Sequence, residues 1–340
     1  MEQASGRRAL VTGAAGFIGS HVVDECLRLG MDVVATDDLS GGYLENINTH
    51  SEWIQGDLRD AAFVAGLWRG RTYDYVYHLG AYAAEGLSHF IRAYNYRTNL
   101  EASVNLINQS ILGESERFVF TSSIAVYGAG QVPMREDMTP EPEDPYGISK
   151  YAVELDLAAA SRVFGLGYTV FRPHNVYGER QNVADKYRNV IGIFMNAALR
   201  GAPMPVFGDG RQTRAFSYVA DVAPCIAQSV LVSGARNEIF NIGADQPHTI
   251  LELADEVATA FGIPSALEHL PARQEVTHAF ADHEKVRRIF DPAPPVGLRE
   301  GIMRMADWVR RRGAMEPVEF REAIEVDRNM PPSWRSVVAG

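Results

Sequence analysis

The stretch Leu10-Val11-Thr12-Gly13-Ala14-Ala15-Gly16-Phe17-Ile18-Gly19-Ser20 constrains this chain more than any other. An apolar run, Arg8–Thr12, leads into it, and a helical pattern, Ile18–Leu29, leaves it. Its glycines are spaced GxxGxxG across a strand-to-helix junction. There Gly13 permits a tight turn and Gly19 lets the helix pack close to the sheet. The same rhythm repeats downstream. Strand-like runs at Asp32–Thr36, Tyr75–Leu79, Phe118–Ser122 and Tyr168–Phe171 alternate with helical patterns at Asp60–Trp68, Thr98–Ser110 and Lys150–Phe164. Nearly continuous apolar strands between helices predict an α/β fold, a doubly wound parallel sheet covered on both faces by right-handed crossovers.

The rhythm changes after Pro173. Segment 174–215 is rich in Gly, Pro and basic residues and holds one helical stretch, Ile191–Arg200. Strand-like runs at Phe216–Val219 and Glu238–Ile242 then precede helical patterns at Ala220–Val232 and Ile250–Phe261. This predicts a nucleotide-binding domain over 1–173, rejoined by segments near 215–245, and a smaller interleaved substrate-binding domain over 174–313. Residues 314–340 read as a tail that wraps the surface or is partly ordered. With 340 residues and 46% hydrophobic composition, the chain can bury a substantial core.

Gly16 lets the backbone approach a pyrophosphate, and the helix opening at Phe17 and Ile18 turns N–H groups and positive dipole toward it. The second strand run ends at Asp37, followed by Asp38, 18 residues after Gly19. A carboxylate there accepts both adenosine ribose hydroxyls and repels a 2′-phosphate, which favours NAD over NADP. Asp57, with Leu58 beside it, falls where a further strand should end. It has two open readings, an adenine contact or the N-cap of the following helix. The net charge of -11 argues against nucleic acid or an anionic membrane as partner, so phosphates must be held by local groups. Cys26 and Cys225 lie far apart in apolar settings and read as buried thiols of a reducing cytoplasm; no ligand spacing suggests a metal. Neither a signal peptide nor a membrane-spanning run is visible.

Tyr146-Gly147-Ile148-Ser149-Lys150 sets a phenol and an ammonium four residues apart, on one face of a helix. A free phenol is a poor base at neutral pH, and a neighbouring ammonium together with a positive nicotinamide favours its phenolate. Tyr146 is therefore a candidate general base for a sugar hydroxyl, and Lys150 a candidate partner of the nicotinamide ribose. Ser123 closes the preceding strand run, where strand ends line the crevice of a doubly wound sheet, and can hydrogen-bond the same oxygen.

The chain resembles the extended short-chain dehydrogenase/reductase family, in particular its NAD-dependent nucleotide-sugar epimerases and dehydratases. The matching segments are TGAAGFIG (12–19), DDLS (37–40), HLGA (78–81, with Leu79 and Ala81), Asn99, SSIAVYG (122–128), YGISK (146–150), RPHNVYG (172–178), FGDGRQTRAFSYVADV (207–222) and FNIG (240–243). They run in family order from residue 9 to about 290. The resemblance implies a Rossmann-like fold and a homodimer made by the helices Thr98–Ser110 and Lys150–Phe164. It implies that Leu79, Ala81 and Asn99 contact the cofactor. It also implies that Asn175 holds the sugar nucleotide near its diphosphate, that Arg214 pairs with a phosphate, and that Arg273 and Glu275 hold a phosphate and the nucleoside ribose. Read without the resemblance, Arg214 is a loop salt bridge.

Members share a first step in which Tyr146 takes the proton of the sugar 4-hydroxyl while the C4 hydride passes to NAD. The resembled 4,6-dehydratases place an Asp–Glu pair after the strand serine. Decarboxylases place a Glu there, and 3,5-epimerases and fucose synthases a Cys. Here Ile124 and Ala125 stand there and cannot move a proton. Rotation of the keto sugar and return of the hydride to its other face then predict a UDP-sugar 4-epimerase, an isomerase. A dehydratase, a net dehydrogenase and a non-catalytic NAD-sensing module are the alternatives. Glu85 reads either as a sugar or ribose contact or as a solvated loop acid. The basic loop of Arg180, Lys186 and Arg188 leaves a neutral hexose and a uronic acid both open as the sugar.

Overall fold

The structure is a computed structural model that describes residues 4–272 and 276–334. The first half runs β1 (Arg8–Thr12), α1 (Phe17–Arg28), β2 (Asp32–Asp37), β3 (Glu52–Gln55), α2 (Ala61–Leu67), β4 (Tyr75–His78), α3 (Glu85–Ser88), α4 (Arg92–Tyr96), α5 (Ala102–Leu112), β5 (Arg117–Thr121), α6 (Pro145–Phe164) and β6 (Gly167–Pro173). Next come β7 (Val176–Tyr177), α7 (Val190–Arg200), β8 (Met204–Phe207), β9 (Thr213–Ala215), β10 (Ser217–Tyr218), α8 (Val219–Gln228) and β11 (Glu238–Ile242). The chain ends with β12 (Pro247–Thr249), α9 (Ile250–Phe261), β13 (Leu267–Leu270), β14 (His278–Ala279), α10 (Glu284–Phe290) and α11 (Leu298–Arg312).

Seven strands form one sheet in the order β11-β6-β5-β4-β1-β2-β3, every neighbouring pair parallel. Strands β4 and β5 are buried along their whole length because helices cover both faces. On one face α1 and α8 pack with Val22, Cys26, Val222 and Ile226 against Val11 and Tyr77. On the other, α5 and α6 pack with Leu106, Val153 and Leu157 against Leu10, Phe118 and Phe120. Both cysteines are buried free thiols. A separate core joins α7, α9 and α11 through Phe194, Met195, Leu253, Val257, Ile302 and Met305. The strand order reverses between β1 and β4, which opens a crevice at the strand C-termini.

Some expected boundaries move for physical reasons. The helix expected to begin at Lys150 begins at Pro145, because Asp144 caps it by accepting from the Gly147 N–H at 2.9 Å and proline is favoured in a first helical turn. The helix expected at Thr98–Ser110 starts earlier, as α4, passes through a π-helical turn at Arg97–Glu101 and continues as α5. The tail packs: Phe320, Ile324, Met330 and Trp334 cover Tyr82, Phe90, Tyr94 and Tyr187. No helix among the described residues is long and apolar enough to cross a membrane.

Candidate active site

A cavity of about 630 Å³ follows the strand C-termini from the Gly13 turn to the segment after β6. At its first end the glycines have no room for side chains. Gly13 takes φ 67°, and a Cβ on it would sit 2.7 Å from the Gly80 nitrogen. A Cβ on Gly19 would sit 2.0 Å from the Gly13 carbonyl oxygen, so Gly19 lets α1 close on the turn itself rather than on the sheet. Phe17 and Ile18, which open α1, line the cavity, and the N-cap Gly16 has no side chain to compete there. Asp37 accepts from the Leu39 N–H (2.7 Å) and the Ala15 N–H (3.2 Å), which braces the glycine turn while the carboxylate keeps lone pairs toward the cavity. Burial, and then the charge of Asp38, push its proton affinity up. Residues Asp38, Leu58, Leu79 and Ala81 complete this wall. The cradle fits the pyrophosphate and ribose of a dinucleotide.

At the centre, Ser123 lies two residues beyond β5, capping the short helical turn Ile124–Tyr127, and Tyr146 and Lys150 stand on the first turns of α6. All three line the cavity. Ser123 Oγ accepts from the Ala125 N–H at 3.1 Å, and Ser123 favours the charged form of the Tyr146 phenol. Lys150 is 2% exposed and donates to the Thr121 carbonyl at 2.9 Å, with its nitrogen 5.8 Å from the Tyr146 ring centre. Burial dominates both groups. It pushes the phenol well above its ordinary value, against the opposing influence of Ser123, and pushes the ammonium down to about 7. In the chain by itself burial outweighs the charges around the phenol, and the Lys150 nitrogen is bound to the Thr121 carbonyl.

Among the other expected residues, Asn175 (φ 42°) and Arg214 line the cavity, with Arg214 also donating to the carbonyls of Thr213 and Thr277. Glu85 lines it from the first position of α3, where its charge raises the Tyr146 phenol. Asp57 lines it too but is not an N-cap. That role belongs to Asp60, and Asp57 instead grips Arg59 at 2.7 Å. Asn99 clasps the backbone of Tyr82, accepting from its N–H (2.8 Å) and donating to its carbonyl (3.1 Å), so it shapes the wall from behind. Arg180 does not reach the cavity. Its guanidinium turns back to Asp24 (2.7 Å) and the Ser20 carbonyl, because its backbone takes φ 67°. Arg273 and Glu275 lie outside the described residues.

Two features went unread in the sequence. Glu154, two turns beyond Tyr146, is buried against Arg172 (2.5 Å) and accepts from Ser122 at 2.5 Å. Its spacing from Lys150 was the available signal, and its charge raises the proton affinity of Lys150 against the effect of burial. Arg188, read in the sequence as part of the basic loop, lines the cavity, ion-paired with Asp185 at 2.6 Å and stacked 4.9 Å over the Tyr82 ring. Glu143 and Asp144 line it as well, and burial pushes Asp144 up to about 6.

The sequence profile of the NAD dependent epimerase/dehydratase family matches residues 9–243. A UDP-glucose 4-epimerase of Mycolicibacterium smegmatis is 33% identical over 313 residues, covering 90% of this chain and 99% of that protein. A UDP-glucose 4-epimerase of Thermotoga maritima, solved with UDP-glucose, superposes with a TM-score of 0.85 at 33% identity, over 90% of this chain and 99% of that one. A UDP-glucuronic acid 4-epimerase of Bacillus cereus, solved with UDP-glucuronic acid and NAD, has a TM-score of 0.82 at 25% identity, over 90% and 99%. The glycine cradle, the Ser123–Tyr146–Lys150 group at the strand ends and these likenesses lead to one conclusion: the chain belongs to the NAD dependent epimerase/dehydratase family.

Proposed function

We propose that the protein interconverts the C4 epimers of a UDP-hexose, retaining its NAD throughout. The observation that carries this is the cavity wall on which Ser123, Tyr146 and Lys150 stand together, with Ile124 and Ala125, which cannot move a proton, in the two positions after Ser123. When bound, NAD would supply the acceptor and donor of the C4 hydride and a positive charge that favours the Tyr146 phenolate. Ser123 holds the phenol and the sugar 4-oxygen on one line, and Tyr146 takes the 4-hydroxyl proton and later returns it. Lys150, fixed by Thr121, orients the nicotinamide ribose. Asp37 and Asp38 take the adenosine ribose, and Asn175 and Arg214 the diphosphate.

A neutral hexose suits the site better than a uronic acid. Each cation of the basic loop has a carboxylate partner: Arg180 with Asp24, Lys186 with Glu319 and Arg188 with Asp185. Glu85, Glu143 and Asp144 stand on the same cavity wall, so a sugar carboxylate adds a negative charge to an acidic surround. The test is NMR of the product mixture from a panel of UDP-hexoses and UDP-uronic acids. Interconversion of UDP-glucose and UDP-galactose without net NADH is expected. Turnover of uronic acids alone overturns the sugar assignment, and a stable keto product overturns the reaction. The exposed apolar residues on α6, Leu155, Val163 and Phe164, support a homodimer through α5 and α6.

A further inference from the structure

Two buried histidines apart from Ser123, Tyr146 and Lys150 meet at the cavity wall. His174 follows β6, and His283 precedes α10. Their Nε2 atoms are 2.9 Å apart, with ring planes within 26° and ring centres 5.0 Å apart, so the rings meet edge to edge and nearly coplanar. His174 Nδ1 lies 2.9 Å from the Ala215 carbonyl oxygen, and His283 Nδ1 lies 2.7 Å from the Asp245 carboxylate. A carbonyl and a carboxylate only accept, so both Nδ1 atoms carry protons. The Nε2 contact needs a third, since two lone pairs at that distance repel. Three protons on two rings make one net positive charge.

We propose that His174 and His283 share this third proton, and that the pair is a positioning device holding the substrate wall at Asn175 and Arg214 to the end of the sheet. The wall is built around it. Ser217 Oγ donates to the His174 carbonyl (2.9 Å), and the Ser217 N–H donates to the Asn175 carbonyl (3.2 Å). Those bonds keep Asn175 in its left-handed backbone conformation, and Arg214 neighbours the Ala215 that His174 binds. His174 itself faces the cavity. Asp245 balances the pair and is itself held by Arg287 at 2.6 Å. The other nearby charges are Asp282, which caps the Glu284 N–H, Glu284 itself, and Glu136, which accepts from the Asn241 N–H.

The Nε2 contact holds one extra proton and no more, since a second would set two N–H groups against each other. The contact is lost as pH rises and the shared proton leaves, and it is lost again in acid, where each unfolded ring takes a proton of its own. The consequence for substrate rests on the UDP-sugar reading; the proton count does not. The first experiment is ¹⁵N-histidine NMR on the full, NAD-loaded chain at pH 6.5, where three N–H protons on these two rings are expected and two overturn the proposal. The second is UDP affinity from pH 6 to 9, expected to weaken about 2- to 10-fold as one hydrogen bond is lost. Asp245→Asn should move that transition to lower pH and Arg287→Gln to higher pH; shifts in the same direction, or none, overturn the proposal. In His283→Gln the amide still donates to His174 but does not titrate, so affinity should persist without the pH dependence. Retention of the same transition in that variant refutes the shared proton. If UDP fails to bind at every pH, the UDP-sugar reading fails while the NMR result still decides the pair.

Discussion

Lys150→Met should make the protein more stable while destroying its activity. The ammonium is buried and pushed down to about 7 from an ordinary 10.5. Folding at neutral pH therefore works against a proton that the unfolded chain holds freely. At pH 7 that difference corresponds to roughly 4 kcal/mol. Methionine keeps most of the aliphatic stem but loses the 2.9 Å bond to the Thr121 carbonyl, and a buried carbonyl left without a partner costs about 1–3 kcal/mol. Glu154 keeps Arg172 as its counter-ion. The net gain is about 1–3 kcal/mol, or roughly 2–10 °C in Tm for a chain of this size. The sign changes with pH. The unfolded chain binds more protons between about 7 and 10.5, so wild-type stability rises through that window and the advantage of the variant fades there. Thermal melts of dinucleotide-free protein at pH 6.5, 8 and 10 measure it. A variant that melts at or below wild type at pH 6.5 refutes the reasoning.

Other outcomes follow from the same geometry. Tyr146→Phe should lower turnover about 10²- to 10⁴-fold while the purified protein still carries NAD by absorbance, because the ring remains and only the proton carrier is lost. Arg180→Ala should leave the KM for the UDP-sugar unchanged and cost no more than about 1 kcal/mol of stability in denaturant titration, since its partner Asp24 is partly exposed on α1. Leu155 is 54% exposed on α6, and Leu155→Glu should convert a dimer to monomer by light scattering if α5 and α6 form the homodimer interface.

The sequence by itself determined the sheet and picked out Ser123, Tyr146 and Lys150 as the candidate centre, because both rest on local patterns. Glycine spacing at the first turn, apolar runs of strand length and the Tyr146–Lys150 interval each constrain the backbone within a few residues, and the alternation along the chain dictates parallel pairing. Even Pro145, which reads as a helix breaker, becomes a helix start once Asp144 is recognised as its cap. The tertiary structure alone decided where charges end. Arg180 sits in the same sequence loop as Arg188, yet one turns to Asp24 and the other to the cavity. Asp57 and Asp60 compete for one cap, and only the path of the chain gives it to Asp60. Glu154 with Arg172, and His174 with His283, are 18 and 109 residues apart and meet only because β6, α6 and α10 pack together. Periodicity records which face of an element is buried. It does not record which distant partner a buried charge will find, nor how deeply the fold will bury it, and in this protein burial dominates the protonation of the site.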